Sequence, residues 1–170
     1  RKNQNRPAPH PTSMHPKLAR AMVNLAGRTK NILDPFCGSG GILIEAALMH
    51  KQATGIDIDP AMITRAKKNL EHYHGTARLI VGDATSTEAQ ADAIITDLPY
   101  GRNSKAARLN ELYAAFLDQA KNITRKLVIA FPERVDGEAL LNRRGWDASQ
   151  RFTWQLHKTL TKEIFTATTD

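Results

Sequence analysis

Four residues, Asp97-Leu98-Pro99-Tyr100, follow the apolar run ADAIIT (91–96) and combine groups that could do chemistry. The aspartate supplies a carboxylate that accepts hydrogen bonds. The proline stiffens the backbone that carries the neighbouring carbonyl groups, and the tyrosine offers a flat face on which a base can stack. A simple Asp-x-Pro turn with a tyrosine in the core would have the same sequence, so the preceding segments must decide between the two interpretations.

A glycine-rich segment, DPFCGSGG (34–41), lies between an apolar run and a helical pattern. Gly38, Gly40 and Gly41 allow the backbone to approach a ligand closely at a helix N-terminus, where free N–H groups point outward. No Lys-Ser/Thr pair follows the glycines, which excludes an ATP-type loop, and Leu43 stands where a dinucleotide fingerprint needs glycine. The segment therefore suits either a ligand that bears a carboxylate or a tight turn between a strand and a helix.

The apolar pattern alternates between strands and helices along the chain. It predicts helices over 16–27, 41–50, 60–73, 109–123 and 137–145, strands over 30–36, 52–58, 77–83, 91–97 and 126–132, and two further strands in the tail. Thr12 or Ser13 is the candidate cap of the first helix. This alternation predicts an α/β fold with a doubly wound, mainly parallel seven-stranded sheet and an antiparallel C-terminal hairpin at its edge.

An aspartate lies at the carboxyl end of each of four predicted strands, namely Asp34, Asp57, Asp83 and Asp97. Ligands of such sheets bind beyond the carboxyl ends of the strands, so we expect these carboxylates to surround one crevice. Asp57 is placed to accept hydrogen bonds from the vicinal hydroxyls of a ribose. Asp59 is better placed to cap the helix that follows.

The segment VGDA (81–84) adds an acid at the end of the next strand. Asp83 can accept a hydrogen bond from the exocyclic amine of an adenine, with the backbone of Ala84 beside the ring. The alternative is an ordinary turn aspartate. In the first case Asp83 faces the same crevice as the glycine loop.

Taken in order, LDPFCGSGGILIEAAL (33–48), GIDIDPAMI (55–63), VGDA and TDLPYGR (96–102) resemble a class I S-adenosylmethionine-dependent methyltransferase. They are most similar to the tRNA guanine-N2 methyltransferases of the archaeal and eukaryotic guanosine-10 type. In that family a THUMP RNA-binding domain precedes the catalytic domain, and HPTSMHPKLARAMVNLA (10–26) matches the segment that leads into the catalytic domain.

The resemblance covers residues 10–102 well and implies a Rossmann-like methyltransferase domain over residues 17–170. Residues 1–16, which are proline-rich and basic, would be a linker or arm from an N-terminal RNA-binding domain. The protein would be a transferase of tRNA processing, a tRNA methylation enzyme that uses S-adenosyl-L-methionine.

The resemblance also implies which residues bind that cofactor. Its methionine end would meet Ser13, Met14, Asp34, Cys37, Gly38, Ser39, Gly40 and Gly41, and its nucleoside end would meet Asp57, Ile58, Asp83 and Ala84. Within this set, Asp34 would face the methionine amino group, Asp57 would bind the ribose and Ile58 would pack on the adenine.

The same resemblance assigns catalysis to Asp97, Leu98, Pro99 and Tyr100. The family's usual motif is Asn or Asp followed by Pro-Pro-Tyr, and such sites methylate exocyclic or amide nitrogens. An amine on an aromatic ring is a poor nucleophile because its lone pair is delocalised. The Asp97 carboxylate and the Leu98 carbonyl can accept its hydrogens and stabilise the charge that develops on nitrogen. Leu98 replaces a proline of the usual motif, but the carbonyl remains.

Composition points to an anionic partner. The net charge is +7, which favours nucleic acid, and Arg102, Lys105 and Arg108 are suited to contact RNA phosphates. No apolar run approaches the ~18–20 residues of a membrane-spanning helix, and the basic start lacks the apolar stretch of a signal peptide. We therefore expect a cytoplasmic protein with nucleic acid as partner and no membrane association. The family resemblance implies that this nucleic acid is RNA, and tRNA first.

Other functions remain open from the sequence. The single Cys37 belongs to the glycine loop, which argues against methylation at a pyrimidine carbon, and the scattered histidines predict no metal site. The tetrapeptide alone would also fit N-methylation of adenine N6 in nucleic acid or of a glutamine amide in a protein. A nucleic-acid-binding module without turnover is the alternative from a different class.

Overall fold

The computed structural model describes residues 2–100, 106–157 and 160–170. A short 3-10 helix at Asn3–Asn5 opens the chain. The α-helices are α1 Pro16–Leu25, α2 Gly41–Leu48, α3 Pro60–His72, α4 Ala106–Ile123 and α5 Gly137–Arg143. The strands are β1 Asn31–Asp34, β2 Gln52–Asp57, β3 Arg78–Val81, β4 Ala93–Asp97, β5 Lys126–Pro132, β6 Asp147–His157 and β7 Leu160–Thr168.

These strands form one seven-stranded sheet in the order β3-β2-β1-β4-β5-β7-β6. The first five are parallel, whereas β7 runs antiparallel between β5 and β6. The predicted fold class, with its antiparallel C-terminal hairpin, is therefore confirmed. The strand order reverses direction at β1, and its neighbour β4 starts the other half of the sheet, so a crevice opens between the ends of β1 and β4.

Helices cover both faces of the sheet because the parallel strands are apolar on both sides. One face packs apolar side chains of α1 and α2 against residues such as Ile32 and Val128. The other face packs α4 and α5, with Tyr113 and Phe116, against residues such as Leu33. Among the described residues, no helix has the length and apolar character that crossing a membrane requires.

Much of the segment 2–16 packs on the domain. Arg6, Ala8 and Met14 are buried, and the buried side chain of Asn69 in α3 bonds both backbone groups of Ala8 at 3.0 and 3.1 Å. Although its composition is polar and proline-rich, this segment packs in a defined position along α3. Its connection to a preceding domain stays a prediction.

Candidate active site

A cleft of about 500 Å³ lies at the carboxyl ends of β1, β2 and β4. It contains all of the predicted cofactor and catalytic positions except Gly40, namely Ser13, Met14, Asp34, Cys37, Gly38, Ser39, Gly41, Asp57, Ile58, Asp83, Ala84 and Asp97 to Tyr100. His10, Phe36, Met62, Leu109 and Leu112 also contribute to the wall. The four strand-end acids thus share one cleft, and their binding roles remain predictions.

The glycine loop takes its shape from backbone angles that favour glycine. Gly38 and Gly40 have φ values of +50° and +86°, in the left-handed region that other residues adopt at a cost. A Cβ at Gly40 would lie 3.2 Å from the Cβ of Ala66 in α3, so Gly40 lets α2 begin close against α3. Gly40 therefore shapes the loop from behind, while Gly38 and Gly41 face the cleft.

Asp57 ends β2 with its carboxylate bonded to backbone amides. Its two oxygens accept from Gly38 N and from Asp59 N, each at 2.9 Å. The Asp59 side chain accepts from Ala61 N at 2.8 Å and caps α3, as predicted. Beside it, Ile58 is 73% exposed, which leaves an apolar surface open in the cleft next to a carboxylate.

Asp34, at the end of β1, is buried. One of its oxygens accepts from the Thr96 hydroxyl at 2.7 Å and from Phe36 N at 3.3 Å. Burial raises the pKa of the Asp34 carboxyl to about 7, against the opposing effect of these two hydrogen bonds, and the negative charges of Asp97 and Asp57 raise it further. Asp34 therefore changes its charge near neutral pH.

Asp83 lies after β3, and its carboxylate accepts from both the backbone N–H and the hydroxyl of Thr85 at 2.8 Å. This is the geometry of the turn aspartate that the sequence left open. Asp83 is nevertheless exposed to the cleft, with Ala84 buried next to it. The arrangement combines a turn with an acceptor that faces the cleft.

Ser13 and Met14 reach the cleft from the segment before α1. The Ser13 and Ser39 hydroxyls lie 2.5 Å apart, and Asn69 donates to the Ser39 carbonyl at 2.9 Å. Asn69 thus ties both the N-terminal segment and the glycine loop to α3. Neither Ser13 nor Thr12 caps α1, because His15 occupies that position and accepts from Lys17 N at 3.2 Å.

The tetrapeptide at the end of β4 is held on both sides. Leu98 N donates to the Ala130 carbonyl of β5 at 3.2 Å, and the Leu98 side chain is fully buried in the core under α4. The Tyr113 hydroxyl donates to the Pro99 carbonyl at 2.5 Å. Leu98 therefore anchors the backbone by packing where the usual motif has a second rigid ring.

Lys162 in β7 completes this end of the cleft. Its side chain is 2% exposed, its ammonium group bonds both oxygens of Asp97, and its Nζ lies 4.4 Å from the centre of the Tyr100 ring. Burial raises the pKa of Asp97, while the charge and hydrogen bond of Lys162 lower it, with a net shift upward.

The three predicted phosphate-binding cations are only partly placed. Arg108 is exposed in the first turn of α4, next to Leu109 of the cleft wall, whereas Arg102 and Lys105 lie outside the described residues. Cys37 is buried, and burial raises the pKa of its thiol. Within the described part of the chain, no three His, Cys, Asp or Glu side chains are grouped to hold a metal ion.

Sequence reasoning missed three residues that position the site: Asn69, Tyr113 and Lys162. Each had a signal, because each is a polar group at a position where the local period places apolar residues. Asn69 falls on the buried face of α3 with Ala66 and Leu70. Lys162 falls on the same side of β7 as the buried Ile164.

Comparison with known proteins agrees with the fold. Residues 3–162 match the profile of the RMKL-like methyltransferase domain. The chain is 41% identical over 169 residues to the tRNA (guanine(10)-N2)-dimethyltransferase of Methanothermobacter thermautotrophicus, covering 94% of this chain and 50% of the relative. It is 38% identical over 173 residues to the protein of the same name from Pyrococcus abyssi, covering 97% and 53%.

Among solved structures, TrmN from Thermus thermophilus superimposes with a TM-score of 0.80 at 23% identity, over 94% of this chain and 50% of TrmN. At that identity the likeness supports the fold alone. The chain spans about half the length of the curated relatives it matches.

Proposed function

Because the chain belongs to the family of RMKL-like methyltransferase domains, we propose that it transfers a methyl group from S-adenosylmethionine to the exocyclic N2 amine of a guanine in tRNA. The observation that carries the proposal is the placement of Asp97 and Leu98 in the same cleft as Asp57 and the glycine loop. A nucleophile held by the first pair would meet a ligand held by the second. The two curated relatives named above support guanine in tRNA as the substrate.

The residues of the cleft fit S-adenosylmethionine. The volume of the cleft, about 500 Å³, lies in the range of small-molecule sites. The exposed Ile58 offers an apolar face for adenine next to the Asp57 carboxylate, which suits ribose hydroxyls, and the buried Asp34 suits the methionine ammonium. When bound, the cofactor supplies an electrophilic methyl group on a sulfonium.

The chain's own contribution to transfer would be orientation and charge. Asp97 and the Leu98 carbonyl accept the two hydrogens of the amine, which turns the nitrogen lone pair away from the ring. The Asp97 carboxylate stabilises the positive charge that grows on nitrogen and can take up its proton. Tyr100 offers its ring for stacking of the base, worth about 1–3 kcal/mol, and Tyr113 fixes the backbone that carries these groups.

The substrate could be distinguished by one set of assays. The 170-residue chain is incubated with methyl-labelled S-adenosylmethionine and either total tRNA, ribosomal RNA, DNA or protein, and the product is digested and identified by mass spectrometry. We expect N2-methylguanosine, with one or two methyl groups, from tRNA. Label in N6-methyladenine or methylglutamine would select the other amine substrates, and cofactor binding without any label would indicate a binding module.

Recognition of tRNA would draw on more than the cleft. We propose that residues 1–16 connect the catalytic domain to an N-terminal RNA-binding domain, as in the guanosine-10 type enzymes, and that the protein acts in the cytoplasm, where tRNA is processed. A second module would raise the effective concentration of tRNA at the cleft. Addition of such a domain in front of this chain should increase both tRNA affinity and turnover, and full, position-specific turnover by the chain alone would contradict this part of the proposal.

A further inference from the structure

We propose that Lys162 is a positioning residue of the active site, one that holds the Asp97 carboxylate ionised and oriented and fixes the Tyr100 ring beside it. The inference rests on the proposed function for the task of Asp97. The charge state of Asp97 can nevertheless be measured with no substrate present, so the two proposals can fail separately.

The topology of the sheet brings Lys162 to this place. Asp97 pairs with Ala130 in β5, and Ala130 pairs with Ile164 in β7. Because β7 is antiparallel to β5, its early residues lie toward the carboxyl ends of the parallel strands. Lys162, two residues before Ile164, shares its face of the sheet and pairs with Pro132 at the end of β5. The edge hairpin therefore delivers a buried cation to the end of β4, against Asp97.

The burial of this lysine is unusual without a specific partner. A lysine side chain is almost never fully buried unless it is paired, and that of Lys162 is 2% exposed while Asp97 is 15% exposed on the cleft side. Its Nζ sits between the Asp97 carboxylate and the Tyr100 ring, 4.4 Å from the ring centre, within the range of a cation–π contact. One ammonium group thus touches both functional side chains of the tetrapeptide.

The charges around Asp97 show why a cation is needed there. Three groups interact with Asp97: Asp34 from β1, Tyr113 from α4 and Lys162 from β7. The charge of Arg134 lowers the pKa of the Tyr113 hydroxyl, whereas that of Asp97 raises it. Desolvation favours the protonated, neutral acid, and the charge and hydrogen bond of Lys162 oppose it. A protonated Asp97 would lose acceptor capacity and the negative charge that the amine requires, so Lys162 preserves the useful form.

The pair leaves room for a substrate. An ionised carboxylate accepts about four hydrogen bonds, so Lys162 can retain part of its contact while an amine hydrogen binds another lone pair. The ammonium cannot itself accept a hydrogen bond. Its effect on the reaction therefore passes through Asp97 and Tyr100.

The test measures the Asp97 pKa directly. Carboxyl carbon NMR of protein labelled at aspartate, with Asp97→Asn to assign the signal, gives the pKa in the free protein. Lys162→Met keeps an unbranched side chain that is one atom shorter and removes the charge, and we expect it to raise the Asp97 pKa by about 1–3 units. The acid limb of the kcat/KM profile with tRNA, which reports the free enzyme, should move up by the same amount, with recovery of rate at high pH.

Two variants separate charge from packing. Lys126→Met makes the same substitution at the opposite end of β5, where Lys126 is half-buried near Gly27, and should leave the Asp97 pKa unchanged. Lys162→Arg keeps the charge in a larger side chain. A positioning role predicts that Arg preserves the pKa and most of the rate, whereas a space-filling role predicts that Met is tolerated better than Arg.

A folding defect in Lys162→Met would also give an answer. If the defect comes from a buried carboxylate without its cation, adding Asp97→Asn in the same chain should restore the urea midpoint at pH 8, and the single variant should regain stability as the pH falls. No rescue by Asp97→Asn, or an unchanged Asp97 pKa in a folded Lys162→Met, would overturn the inference. Absence of methyl transfer by the unmodified chain would count against the proposed function and leave the titration result intact.

Discussion

Asp57 and Asp97 end two parallel strands of the same sheet and line the same cleft, but their carboxylates are stabilised by different partners. Asp57 is half-exposed and bonded to two backbone amides, which are neutral and fixed by the glycine loop and the start of α3. Asp97 faces a buried ammonium group. Asp57 is stabilised by backbone dipoles at a position that solvent reaches. Asp97 is stabilised by the full charge of a buried side chain.

The difference matches what each acid would do. Binding neutral ribose hydroxyls needs an acceptor in a fixed place, and water can replace backbone partners at an exposed site with little loss. Stabilising a cation that forms during a reaction needs a carboxylate that is kept ionised out of water. Four variants, taken from the largest expected effect to the smallest, test this division between the nucleoside side and the amine side of the cleft.

Asp97→Ala should have the largest effect. Methyl transfer should fall by roughly a hundredfold or more, as loss of one transition-state partner does. Removing one member of a buried pair should also lower the free energy of unfolding by about 3–5 kcal/mol, because Lys162 keeps its charge. Single-turnover assays and urea unfolding check the two parts.

Asp97→Asn is the matched control, because its amide oxygen still accepts a hydrogen bond. It should be milder in rate than the alanine variant and leave S-adenosylmethionine affinity close to that of the parent. An alanine variant that folds and turns over at the parent rate would show that the tetrapeptide does not do the proposed chemistry.

Asp57→Ala should show the opposite pattern, with a loss of cofactor affinity and little loss of stability. Cofactor affinity should weaken by about 1.5–3 kcal/mol, the range for hydrogen bonds to a charged group, while unfolding changes by only about 1 kcal/mol because water reaches the freed amides. Titration calorimetry measures the affinity. Asp59→Asn, which keeps the cap of α3, serves as the neighbouring control, and an unchanged affinity in a folded Asp57→Ala would exclude the ribose assignment.

The sequence was most informative where the residue types and the periodicity of the apolar residues indicate the same structure. The parallel core and the strand-end acids follow from alternating apolar runs, and the cap at Asp59 follows from its place before Pro60. The cap of α1 was wrong because Pro16 begins that helix, which makes His15 the cap and leaves the Ser13 hydroxyl beside Ser39. The local preference for Ser and Thr at helix N-caps does not account for a tertiary hydrogen bond such as that between Ser13 and Ser39.

Long-range pairs were harder to infer. Lys162 lies 65 residues from Asp97, and Asn69 lies 61 residues from Ala8, so no spacing rule connects them. Their meeting depends on the register of β7 against β5 and on the path of the N-terminal segment over α3. Both are fixed by packing of the whole domain. A polar residue in an apolar stripe marks such a position but does not name its partner.

Asp34 lies between the two sides and should make cofactor binding depend on pH. With its pKa at about 7 in the free protein, it is largely neutral below that pH, and the methionine ammonium favours the ionised form. Affinity should therefore fall as the pH is lowered, by about tenfold between pH 8 and pH 6. Calorimetry across this range checks it, with proton release to the buffer on binding below the midpoint as a second signature.

Asp34→Asn should flatten that dependence, since an amide oxygen can still accept from both Thr96 and Phe36. The variant should also be more stable than the parent at pH 8. The reason is that a raised pKa costs stability as the pH climbs from the unfolded value toward about 7. Asp118→Asn, on the exposed face of α4, should change neither property, and a parental slope in Asp34→Asn would assign the titration to another group.

Arg108→Ala should have the smallest effect, and it tests whether the amine side of the cleft is also the RNA side. Arg108 is exposed beside the cleft wall, so loss of one phosphate contact should weaken tRNA binding uniformly across sequences. The slope of log affinity against log salt should become shallower by about 0.7–0.9. Arg125→Ala, beyond the other end of α4, should leave the slope unchanged. Equal slopes for both variants would place the RNA on another surface, and the division between the two acids would then concern the small ligands alone.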